Sequence, residues 1–288
     1  MTAGGFDVTA GGLGVTVPSR SRLRRARGFC LAVLAGPLVL LGCSAANTRP
    51  PDENPILADL VDYRNGLALL RDGRADEAIQ LLRRSRTSNP RDPNIPNALG
   101  LALLYKKDYP AALKAFTEAL KLDAGFAESY NNRGVCLIEI GKLDDAELDF
   151  QKVLDGPPST EKPNAHFNLG RVQKRREKWA DAEREFSLVL SLDSQYRKAF
   201  LERGLVRVKR ENFREALEDL LFYMKDEPAD PVANYNSALC LLTTGRRDLA
   251  LRYMERTVAA APESDEGRRA RRFLENENAL HQPVEVAR

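Results

Sequence analysis

The stretch "NALGLALLYKKDYPAALKAFTEAL", residues 97–120, sets Gly100, Ala112 and Phe116 at fixed distances, twelve residues and then four. The same landmarks recur in both directions. Gly66, Gly100, Gly134, Gly170 and Gly204 follow one another at intervals of 34, 34, 36 and 34 residues, and Ala238 continues the series. Twelve residues after each stands an alanine: Ala78, Ala112, Ala146, Ala182, Ala216 and Ala250. Four further on stands a bulky apolar residue: Leu82, Phe116, Phe150, Phe186, Leu220 and Met254. Pro90, Pro158, Pro228 and Pro262 close four of the units. Such a period implies stacked helix pairs that bury their apolar faces against their neighbours. The first helix of a pair needs a small residue where the second crosses it, and the alanine is the opposite half of that contact. The Phe or Leu one turn later fills the space between layers. Proline stops the second helix because it has no N–H for the ladder.

This spacing is the tetratricopeptide pattern. It predicts an all-α, right-handed superhelical solenoid of six repeats plus a C-terminal capping helix. Within residues 56–264 the units run 59–92, 93–126, 127–160, 163–196, 197–230 and 231–264. Tyr130 and Phe200 are the large anchors at the starts of their helices, and His166 holds that place in the fourth repeat. The first repeat departs most, with Asp62 and Asn65 at usually apolar places. Between repeats three and four, "LDGPPSTEKPNAHF" inserts two residues and brings Pro157, Pro158 and Pro163, which predicts a rigid loop. Residues 265–280 read as a last helix with Ala270, Phe273 and Leu274 on one face. Residues 281–288 are an expected disordered tail.

The front of the chain has a different composition. Arg20, Arg22, Arg24, Arg25 and Arg27 precede an apolar run from Phe29 to Leu41, and Gly42 then abuts Cys43. A basic segment, a short apolar segment and a small residue at a cut site form a secretory leader, here residues 1–42. The run falls short of the roughly 20 residues a membrane span needs. "GGLGV" near the start lacks the strand and helix of a phosphate loop and reads as leader. Residues 43–55 are polar and proline-rich, a flexible tether reaching about 40 Å if extended. The leader takes five of 44 basic and one of 41 acidic residues, leaving 39 and 40 and a net charge of −1. Nothing in that balance calls for nucleic acid.

Catalytic chemistry has little to work with. The two histidines are His166, at a packing position, and His281, in the tail. Cys136 and Cys240 fall at one place in repeats three and six; three stacked repeats exceed the roughly 7 Å a disulfide allows, so both are expected as small core residues. No P-loop, metal-ligand spacing or Ser-His-Asp set occurs, and no cofactor, metal or small-molecule substrate is expected. Binding is the better prospect. In this fold the first helices line a concave wall. It would present Tyr63, Leu67 and Leu70, then Asn97, Leu101, Leu104 and Tyr105, then Asn131, Val135 and Ile138. Repeat four adds Phe167, Arg171, Lys174 and Arg175. Repeats five and six add Leu201, Leu205 and Val208, then Tyr235, Leu239 and Leu242. Such a wall suits an amphipathic or extended apolar segment, with Asn97 and Asn131 free to bond its backbone. The competing reading buries part of the wall in a tight superhelix and leaves the basic band as a solvated face.

Leu40-Leu41-Gly42-Cys43 resembles a bacterial lipobox. The resemblance implies a diacylglycerol on the Cys43 thiol, cleavage before it and, with Ser44 next, anchoring in the outer membrane facing the periplasm. The lipobox, tether and six repeats together resemble the type IV pilus pilotins, the PilF, PilW and Tgl family. That resemblance implies a non-catalytic assembly factor whose partner is a PilQ-like secretin subunit. The alternative is a lipoprotein scaffold of the NlpI type that recruits peptidoglycan hydrolases or other envelope proteins.

Overall fold

The computed structural model describes residues 55–280, and among them thirteen helices and no strand. The leader, Cys43, the tether up to residue 54 and the tail from residue 281 lie outside the described residues. The chain divides into two compact units, one ending at Gly156 and the other starting at Pro157, inside the proline-rich insertion. The first unit holds three helical hairpins: α1 (Pro55–Arg71) with α2 (Ala75–Ser88), α3 (Asn94–Tyr105) with α4 (Tyr109–Leu122), and α5 (Ala127–Glu139) with α6 (Leu143–Asp155). The second holds α7 (Lys162–Arg175) with α8 (Trp179–Leu192), α9 (Arg197–Lys209) with α10 (Phe213–Tyr223), and α11 (Pro231–Thr243) with α12 (Arg247–Ala260). A last helix, α13 (Asp265–Leu280), packs on α12 and α11. The all-α fold of six helix pairs and a capping helix is the one expected, tetratricopeptide repeats.

The landmarks meet as the spacing requires. Gly100, Gly134 and Gly170 lie under the rings of Phe116, Phe150 and Phe186, so close that an added Cβ would sit 2.5 Å from a ring carbon in each. Gly66 and Gly204 face leucines instead, and an added Cβ would come 2.9 Å from Leu82 and 3.0 Å from Leu220. The six alanines and their six bulky partners are all buried to 1% exposure or less. Each ring therefore fills the notch a missing side chain leaves in the crossing helix.

Every hairpin turns by one device. At the end of each first helix, the residue at position 15 of the repeat has positive φ: Gly73, Lys107, Gly141, Glu177, Glu211 and Gly245. Its N–H reaches the carbonyl three residues back, and the next N–H reaches five back, as in Gly141 N to Ile138 O at 3.1 Å and Lys142 N to Leu137 O at 2.9 Å. This is the Schellman pairing, which satisfies carbonyls orphaned at a helix end. Three turns place a side chain where glycine is cheaper. Some second and first helices also carry side-chain caps: Asp108 accepts from Ala111 N, and Asp230 from Ala233 N at 2.8 Å.

Two ion pairs repeat the same arrangement. Arg133 grips Asp149 through two bonds of 2.8 and 2.7 Å and donates to the Thr117 hydroxyl of the preceding hairpin at 3.3 Å. Arg203 grips Asp219 at 2.9 and 2.8 Å and donates to Ser187 at 3.2 Å. Each bidentate fork ties the two helices of one repeat to the second helix of the repeat before. Asp62, polar at an apolar place, is buried and accepts from Arg84 at 2.8 Å, which accounts for that departure.

Candidate protein-binding face

The first helices place the expected wall residues in two different environments. In the first unit the wall is closed. Leu67, Leu70, Leu101, Leu104 and Val135 are buried in one hydrophobic cluster, and Ile138 is fully buried. Tyr63 is half-buried against that cluster, and Tyr105 alone is exposed, at 42%. The expectation of an open apolar wall is corrected here. The cause is side-chain size: large branched residues at successive positions fill the gap where α1 packs on α3 and α3 on α5.

The two asparagines are not free either. Asn97 is fully buried. Its amide nitrogen donates to Glu128 at 2.9 Å, and its oxygen accepts from Ser129 at 2.9 Å and Asn132 at 3.2 Å. Asn131 is buried at 2% exposure and engaged as well. The Asn97 amide serves the fold, because a buried amide without partners would cost free energy that this network recovers.

In the second unit the wall stays partly open. Phe167 is buried, stacked near Phe186 and Tyr196 at centroid distances of 5.6 and 5.2 Å. Leu201, Leu205 and Val208 of α9 and Tyr235, Leu239 and Leu242 of α11 are half-buried, leaning on the cluster that includes Leu217, Leu220 and Met254. Their spacing of three and four puts each trio on one helix face. Phe273 of α13 packs against the same cluster. It stands 34 residues after Leu239, which stands 34 after Leu205, so the strip continues onto the capping helix. The sequence reading assigned Phe273 only to covering the last repeat; carrying the period one step further would have found it.

The basic band is partly paired. Lys174 meets Glu202 at 2.5 Å, Arg171 donates to Asn168 at 3.2 Å, and Arg175 is exposed with interactions of its own. His166 is half-buried with its Nδ1 2.8 Å from Glu185, a packing and pairing role. Cys136 and Cys240 are buried free thiols. Burial pushes the Cys136 thiol up to about 12 and the Cys240 thiol up to about 11, far from the thiolate that reactivity needs. Among the described residues no three His, Cys, Asp or Glu side chains gather as metal ligands, and no helix is long and apolar enough to cross a membrane.

A family model described as "Tetratricopeptide repeat" matches residues 97–161 and 201–265. The solved structure of Pseudomonas aeruginosa pilF superposes with a TM-score of 0.69 at 20% identity, covering 76% of this chain and 99% of that one. The structure of PilW, described as a widely conserved type IV pilus biogenesis factor, gives a TM-score of 0.67 at 18% identity, covering 73% and 97%. At such identities the likeness is one of fold. The Lipoprotein NlpI homolog of Haemophilus influenzae is 38% identical over 61 residues, 21% of this chain and 19% of that protein. The chain spans between 18% and 31% of the length of eight curated relatives it matches. The matching model and the two structures agree on the repeat fold.

Proposed function

We propose that the protein is a non-catalytic assembly factor, lipid-anchored through Cys43 at the outer membrane and facing the periplasm, that binds secretin subunits of a type IV pilus. The observation that carries the binding role is the half-open apolar strip of the second unit, Leu201, Leu205, Val208, Tyr235, Leu239 and Leu242. A rigid repeat scaffold that leaves such a strip incompletely covered is suited to an apolar partner segment. The pilus assignment is supported by the likeness to two pilus-related structures over nearly their whole length and by the lipobox-like leader. A second reading, a scaffold that recruits peptidoglycan hydrolases or other envelope proteins, is favoured by the match to the Lipoprotein NlpI homolog.

Replacing the lipid-bearing thiol tests the anchored assembly factor. Two or more acyl chains hold a protein stably at a bilayer where one does not. Cys43→Ala is expected to leave a longer precursor, to disappear from outer-membrane fractions and to lower the yield of secretin multimers. Unchanged fractionation would refute the anchor. A lost anchor with normal multimers and altered wall-hydrolase complexes would favour the second reading.

A further inference from the structure

The half-open strip lies within reach of a segment of the same chain. Glu277, one turn before the end of α13, is buried and bonds Arg247 at the start of α12. Arg247 follows Leu242 across the turn that closes α11 onto α12, where Gly245 N donates to Leu242 O at 3.1 Å. The end of α13 therefore stands at the Leu242 end of the strip, and α13 itself packs on α11. Eight residues, "HQPVEVAR", follow Leu280. Pro283 cannot continue a helix and biases Gln282 toward extended backbone. Behind it, Val284, Glu285 and Val286 alternate apolar and charged, with two β-branched residues, the pattern of an extended segment with one apolar face. From Leu280 to Val286 an extended chain reaches about 20 Å. That covers one helix spacing of about 8–10 Å together with two helical turns of about 5.4 Å each. In an extended chain Val284 and Val286 stand about 6.6 Å apart on one face. Leu239 and Leu242, three apart on α11, are separated by a similar distance of about 5–6 Å.

We propose that residues 281–288 form a strap that closes back over α11, seating Val284 and Val286 on Leu239 and Leu242 with Glu285 turned to water. The strap rests on the protein-binding reading above and adds its regulation: it covers the strip until an apolar partner segment displaces it. Two valines make a weak contact, but a short tether holds them at an effective concentration in the millimolar range. A partner must bring several apolar anchors to displace the strap, which screens out proteins that expose a single one.

Two readouts on the purified full chain test the strap. Benzoylphenylalanine in place of Val286, activated by light, should crosslink within one chain to residues 231–243. Nile red, a neutral apolar dye, should bind the Val284→Asp, Val286→Asp variant at least about threefold more tightly than the parent, as for a site open about a third of the time or less. Adding Leu239→Glu should abolish that binding while melting stays close to the parent. Equal dye affinities, with Leu239→Glu still abolishing binding, would overturn the strap alone and leave the open strip standing. Dye binding that Leu239→Glu leaves unchanged, or no dye binding in either protein, would overturn the strip as an apolar site and the strap with it. Crosslinks that join two chains or fall outside α11 would overturn the strap as the occupant.

Discussion

One methyl group separates the glycine of each first helix from the alanine that repeat six uses in its place. At Gly134 that methyl would lie 2.5 Å from Phe150 Cε1, inside the contact distance of a ring that is itself fully buried. Gly134→Ala should therefore cost roughly 1–3 kcal/mol through overpacking. At Gly204 the nearest atom is Leu220 Cγ at 3.0 Å, so a methyl there is less crowded than the one at Gly134. There the better helix propensity of alanine, about 1 kcal/mol over glycine, should offset the crowding and leave stability nearly unchanged. Denaturant melts of the two variants check the pair, and equal losses would contradict the ring-in-notch account. These contacts were legible in the sequence because glycine, alanine and aromatic positions repeat on one grid. The Arg133–Asp149 and Arg203–Asp219 forks were not, since six repeats share the apolar grid but only two carry the ion pair, and charges alone do not say which way they face.

The hairpin is the element on which the fold is built, and its turn is where strain collects. Gly141 and Glu177 occupy one place in consecutive repeats, with φ of 79° and 57°. A left-handed residue other than glycine costs roughly 1–2 kcal/mol. Nothing lies within 4 Å of a Cβ added to Gly141, so Gly141→Ala should lose about 1 kcal/mol through backbone conformation alone. Glu177→Gly should gain slightly less, because glycine also loosens the unfolded chain. Thermal melts of both variants would show opposite shifts; a shift of the same sign in both would contradict the turn assignment. A sequence reading keyed to glycine misses this position in half of the repeats, where lysine or glutamate fills it.

A second element-level effect comes from Glu183 of α8. Burial pushes its carboxyl up, but Arg207 and Arg210 of the next repeat outweigh that and hold it below the usual glutamate range. A carboxyl held low stabilises the fold above its unfolded value, about 4.3, and that contribution is lost as pH falls through the lower folded value. Glu183→Gln should reduce stability at neutral pH and flatten the acid limb of the melting curve. An acid limb identical to that of the parent would show that the pair contributes nothing.

At the scale of the molecule, the two units use the same grid for different ends. In the first, the wall positions complete the core except at the tyrosines; in the second, those of α9 and α11 remain half-open. The sequence showed that these positions are apolar in both but not which were covered, because coverage depends on how closely the first helices approach, and the period is silent on that. Leu101, 5% exposed, should tolerate no charge: Leu101→Glu buries a carboxylate and should cost about 3 kcal/mol or more. Leu205 and Leu239 can turn a carboxylate toward water. The central claim is that the half-open strip of the second unit serves a partner and not the fold. The direct test is the level of heat-resistant secretin multimers in cells whose only copy carries Leu205→Glu with Leu239→Glu, a variant whose purified form should melt close to the parent. The account predicts that the multimers are lost while the folded protein persists at its normal level. Normal multimers with the variant folded would contradict it.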